Sequence, residues 1–336
     1  MNWKHGLAAF TAAALTIGQV ASAAVAKSER VLVALENGGA VLLDAHDGSI
    51  LQRYATGPNA FGAMYSACGK RAFVTDKDKG TLIEIDTQSN KVLDTVAVGI
   101  QPQQPAMTSD GRIYIPLSGE AAVAVVDASK KLQLVKKISI GTGTKPHIVS
   151  LSPDEKTLWV TVQGMDPKVV ALNVENSTDS IKKEYRYNLV PRVISGANDY
   201  AFFTGHHSTG LHLAKLGEEL ATTPYMDVNG SFSEAAKQIE GISVLADKGL
   251  SGITHEGRKA LVVISGTDKT RKTCDIAPLA DKPYWVSLDS MGQVAFVSIP
   301  GKGLVEAYDI LTCGKSPLWT VDVGGKAKRL ALSEVE

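Results

Sequence analysis

Across 336 residues, 35 Lys and Arg balance 35 Asp and Glu, and a formal net charge of zero excludes a surface built to grip the nucleic-acid backbone. Hydrophobic residues at 44%, with 31 Gly and 13 Pro, describe a turn-rich chain with a large core, neither disordered nor low in complexity. Beyond the amino terminus no run of eighteen apolar residues occurs, so the body of the chain carries no helical membrane span.

The chain starts with Lys4 in a short polar segment, an apolar stretch from Leu7 to Gly18, and Ala21-Ser22-Ala23, small residues of the kind signal peptidase accepts. This predicts a signal peptide over 1–23, cleaved after Ala23, and a secreted protein of the periplasm. With no Cys near the cleavage site a lipid anchor is not expected, nor any membrane association after cleavage. In an oxidising compartment Cys274 and Cys313 can pair. Cys68 is left over, as a free thiol, an intermolecular link or a buried small residue.

Next comes a repeat. Arg71 to Asp76, Lys79 to Asp86, a turn at Thr87 to Asn90 and Lys91 to Gly99 form a unit that returns at Arg112 to Pro116, Ala121 to Asp127 and Leu134 to Gly141. Asp86 and Asp127 are 41 positions apart, and Gly99 and Gly141 are 42 apart. Further copies start at Thr157 and end with Leu318 to Gly324. A period slightly above 40 built from four short strands is that of a propeller blade. Inner strands are expected near Pro58, Pro105, Pro146, Pro191, Gly249, Pro283 and Lys326. The prediction is an all-β, seven-bladed β-propeller over 24–336, a single domain closed by pairing Lys328 to Ser333 with the first blade. Between Leu211 and Pro283 the regularity fails: a short helix is expected at Ser233 to Glu240, within an irregular insertion about 230–241, and the sixth blade is expected to be trimmed. Cys274 on that blade and Cys313 on the seventh would then be joined by a disulfide.

Phe73-Val-Thr-Asp, Leu82 to Thr87, Lys91 to Gly99 and the run Pro146 to Thr161 resemble the repeat of YVTN-family β-propellers, exported proteins that include YncE-like propellers and the heavy chains of amine dehydrogenases. The resemblance covers Val31 to Leu332 and departs in blades five and six. It implies the fold and leaves several functions open. The expected one is a periplasmic scaffold presenting a loop face at the central channel to a partner protein or a small ligand, without catalysis of its own. The alternatives are a noncatalytic subunit of a quinoprotein or haem-linked dehydrogenase, a metal or haem chaperone, and a propeller lactonase or other hydrolase.

In a four-stranded blade the loops from second to third strand and from outer strand to next inner strand share one face, around the channel mouth. By this rule Lys77, Gln104, Lys145, His147, Gln163, Arg192, Tyr284 and Trp285 are candidate ligand-binding residues, with Asp76, Gln101, Gln103, Asp268 and Lys282 nearby. His147, His206 and His207 fall on the same face of adjacent blades and could hold zinc or copper, with His212 or Met165 as an outlying ligand. Against this, Pro-His is part of the repeat at an inner strand, and packing explains His212. His255 is expected on the opposite face. The repeated Asp86, Asp127 and Asp309 do turn chemistry. No nucleophile elbow, phosphate loop or zinc-protease motif is present.

Overall fold

The computed structural model describes residues 29–333 except 188, 206–209, 220–225, 228–238, 246–247 and 266–271. Seven four-stranded antiparallel sheets stand in a ring. The second and third strands of each blade are rich in apolar residues because neighbouring blades cover both faces of the sheet. In the first blade, Val31, Val33 and Leu35 of β1 (Arg30–Glu36) pack with Val294 and Phe296 of the seventh. The alternate residues, Leu32 and Ala34, pack with Ala63 and Val74 of the second. Period-two geometry thus sends successive side chains of one strand into two different inter-blade cores. Outer strands have one such neighbour fewer. Lys91–Ala97 is largely exposed.

The ring closes as the sequence implies. Lys326–Leu332 is the inner strand of blade one, pairing Val31 with Leu332 and Val33 with Leu330. Inner strands of the other blades begin at Ala60, Ala106, Thr144, Pro191, Ile239 and Trp285. The turn aspartates behave as expected: Asp86 accepts from the Gln88 and Ser89 amides, Asp127 from Ser129, and Asp309 from Leu311 and Thr312.

The sixth blade departs from expectation. Its inner strand is Ile239–Leu245, and Leu250–His255, expected near Gly249 as the inner strand, is the second. The blade is therefore complete, with Ala260–Ser265 third and Lys272–Ile276 outermost. The short distance from Ser265 to Lys282 needs to hold only one outer strand, so nothing is trimmed. Of the helix expected over 233–240, the residues up to 238 lie outside those described, and Ile239 and Glu240 are strand. The disulfide joins Cys274, in the outermost strand of blade six, to Cys313, after the third strand of blade seven, with Cα atoms 5.3 Å apart. Cys68 is unpaired and exposed.

Candidate functional site at the channel mouth

Five inner strands begin with an irregularity of register, at Phe61-Gly62, His147, Arg192-Val193, Glu240 and Lys328-Arg329. A bulge adds a residue that the ladder cannot pair and re-aims its side chain. Small hydroxyls fix these bends. Thr75 Oγ1 accepts from the Gly62 amide at 2.9 Å and donates to the Gln103 carbonyl at 3.0 Å. Thr161 Oγ1 accepts from Ile148 at 3.1 Å and donates to Arg192 at 3.2 Å. Thr254 donates to the Tyr284 carbonyl at 3.3 Å. Each hydroxyl stands on the second strand of one blade and reaches the next blade at or just before its inner strand, so the mouth residues are placed by the ring as a whole.

These side chains converge. The Arg329 guanidinium lies 3.9 Å from the Trp285 ring, 5.0 Å from Phe61 and 5.1 Å from Tyr284. Lys77 Nζ stands 4.3 Å over Phe61, and Lys328 Nζ 4.8 Å over Tyr284. Arg192 is 5.8 Å from Tyr284 and ion-paired with Glu240. The Phe61 and His147 rings meet edge on at 6.1 Å. His147 Nδ1 is 3.2 Å from the Arg192 carbonyl, which can only accept, so Nδ1 carries the proton and Nε2 is left as an acceptor. Beside this cluster a cleft of about 350 Å³ is lined by Arg192, Glu240, Glu256, Lys282, Tyr284 and Lys328.

Enclosure sets the electrostatics. Burial, then the positive charge of Arg329, holds His147 well below the ordinary histidine range, so it is neutral. The same two causes depress Lys77. Burial draws Arg329 down to about 10, leaving it charged at neutral pH. Burial raises the Glu240 carboxyl to about 7, although Arg192 opposes the shift.

Several residues chosen from the sequence lie here: Lys77, His147, Arg192, Tyr284 and Trp285. Gln104 spans two blades, accepting from the Ala63 amide and donating to its carbonyl. Lys145 is exposed, and Gln163 Nε2 donates to Pro191. Lys282 pairs with Glu256 at 3.0 Å. Asp76 is buried and caps its own turn through Asp78 and Lys79, and Gln103 bonds to Ser118. Asp268, His206 and His207 lie outside the described residues, so of the expected metal-binding histidines only His147 is placed. Among the described residues no three His, Cys, Asp or Glu side chains gather as a metal site would require. His212 is buried with Nδ1 against the Tyr187 hydroxyl, burial pulling it to about 4, and Met165 is exposed.

His255 is a correction. Because Leu250–His255 is a second strand, its far end is on the mouth face; the ring itself is buried, with Nδ1 accepting from the Arg258 amide. Sequence reasoning missed Phe61, Glu240, Glu256, Lys328 and Arg329. Lys328 and Arg329 were within reach, since the closing strand was identified and its start aligns with Pro146-His147. Glu240 was hidden by the misplaced inner strand of blade six.

No family model matches the chain. The uncharacterised protein YncE of Salmonella typhi is 28% identical over 142 residues, 41% of this chain and 39% of the relative, so the match spans about two fifths of that protein's length. The periplasmic gluconolactonase PpgL of Pseudomonas aeruginosa superposes with a TM-score of 0.72 at 16% identity, covering 92% of this chain and 99% of its own. A putative 6-phosphogluconolactonase of Bacteroides uniformis gives 0.74 at 14%, covering 91% and 100%. With the seven closed blades and their repeat, the chain is a seven-bladed β-propeller that resembles YncE over part of its length.

Proposed function

We propose that this protein is an exported binding scaffold whose channel mouth receives a small polar ligand. The observation that carries the reading is the set of inner-strand bends that turn Phe61, His147, Arg192, Glu240 and Arg329, from five different blades, onto one mouth beside a cleft of about 350 Å³. That volume is within the range of small-molecule sites, and its lining sets six charged side chains around one aromatic ring, that of Tyr284. The Cys274–Cys313 bond supports an oxidising compartment, as does the apolar leader sequence. A thermal-shift screen of metabolites tests the reading: compounds that raise the melting temperature of wild type should lose their effect in Tyr284→Ala and Arg192→Ala. Hits that stabilise both variants as they do wild type place binding elsewhere.

A second reading is a lactonase, favoured by Glu240. A buried carboxylate titrating near neutrality suits a general base, and solved structures of this fold include one named a gluconolactonase and one named a putative 6-phosphogluconolactonase. Water would attack the lactone carbonyl while Glu240 takes its proton; the ring C–O bond then breaks and the departing oxygen takes a proton back, giving the hydroxy acid. Hydrolysis of gluconolactone above the spontaneous rate, abolished in Glu240→Gln, supports it. Equal rates with and without protein dismiss it for that substrate.

A further inference from the structure

Three acidic and three basic side chains line the cleft, but beside it Lys77 and Arg329 make no ion pair among the described residues. Glu240 answers Arg192. Glu36 is shared between Lys326 at 3.1 Å and Lys328 at 2.9 Å. Lys77 stands against a ring rather than a carboxylate. Arg329 is 1% exposed, and its Nε and Nη1 are buried with no acceptor among the described residues. The aromatic rings around Arg329 compensate its charge through their π faces, but they offer nothing to N–H groups that point along the guanidinium plane. A buried cation with unmet donors is among the costlier things a fold can hold. Proteins that keep one at a mouth commonly do so because a ligand completes it.

We propose that the channel mouth is a site for a small organic oxyanion, a carboxylate or a phosphate monoester, whose oxygens supply the acceptors missing at Arg329. The proposal deepens the binding reading above and rests on it. The Arg329 guanidinium, held 3.9 Å from the Trp285 ring, is prepared for oxyanion recognition, because its donors are fixed before the ligand arrives. Lys77, over Phe61, and Lys328, over Tyr284, add positive potential. Glu240 and Glu256, on the cleft side, can accept from hydroxyls on the rest of the ligand, so a hydroxylated anion fits better than a bare one.

Calorimetric titration with sodium gluconate, glucose 6-phosphate and uncharged glucose, at matched ionic strength, decides the matter. Saturable binding is expected for at least one anion and none for glucose, and the two anions tell carboxylate from phosphate. Arg329→Met should weaken the anion at least tenfold, Arg329→Lys should restore part of it, and the unliganded melting temperature of Arg329→Met should equal or exceed that of wild type. Lys77→Gln, which leaves Arg329 in place, should weaken the anion about threefold or more, and it carries the test if the Arg329 variants fail to fold. Wild-type affinity in Arg329→Met, or in Lys77→Gln where that variant carries the test, overturns the proposal, as does the failure of both anions to bind. Glucose binding that is lost in Tyr284→Ala would keep the mouth as a ligand site while removing the anion. No response to this panel or to the metabolite screen removes both.

Discussion

The Ser298 hydroxyl, on the second strand of blade seven, donates to the Lys328 carbonyl of blade one at 2.9 Å while accepting from the Trp285 amide at 3.0 Å. This one buried side chain ties the closing strand to the site. Ser298→Ala leaves a buried amide and a buried carbonyl without this partner, which should cost about 1–3 kcal/mol. Chemical denaturation should register that loss. Because the same bonds hold Lys328 and Trp285 in place, any ligand affinity at the mouth should fall with it, whereas Ser129→Ala, at an exposed turn, should change neither.

The Cys274–Cys313 bond closes a loop with a sequence separation of 39. Loop-closure entropy assigns such a link about 4 kcal/mol. Reduction, or Cys274→Ala with Cys313→Ala, should lower the denaturation midpoint accordingly without altering the circular dichroism of the folded protein at low denaturant. A midpoint that ignores dithiothreitol would show that the link contributes nothing.

Glu240 should leave a signature in the pH dependence of stability. Its folded carboxyl titrates at about 7 and its ordinary value is 4.5, so between these pH values the folded protein retains a proton that the unfolded chain releases. The contribution is whole below about pH 4.5 and disappears as pH rises through about 7, on the order of 1–3 kcal/mol. His147 and His212 are depressed and act oppositely, taking stability away as pH falls. The difference between wild type and Glu240→Gln isolates the carboxylate. A constant difference from pH 4.5 to 8 would refute the shift.

Removal of everything after Gly325 takes away the strand that closes the ring. The truncated chain would expose the inner edge of β1 and open the contacts of blade one with blades two and seven. It should melt at a markedly lower temperature or aggregate, and unchanged cooperative melting would contradict the closure.

Seven blades, closure by the last strand and the Cys274–Cys313 pairing were legible in the residues because they rest on local patterns. The 41- to 42-residue period, the apolar runs covered on both faces and the Asp-capped turns need no knowledge of distant contacts. The sixth blade was different. Its strands are short and alike in length, and nothing in Leu250–His255 says whether it pairs toward the channel or one place out. That is decided by what Ile239–Leu245 packs against, and one place of error moves His255 to the other face and hides Glu240 altogether. The channel cluster is likewise tertiary. Arg329 is one basic residue among 35 Lys and Arg in the sequence; only the bulge in the closing strand and the rings of Phe61, Tyr284 and Trp285, from two other blades, make it a buried guanidinium with unmet donors.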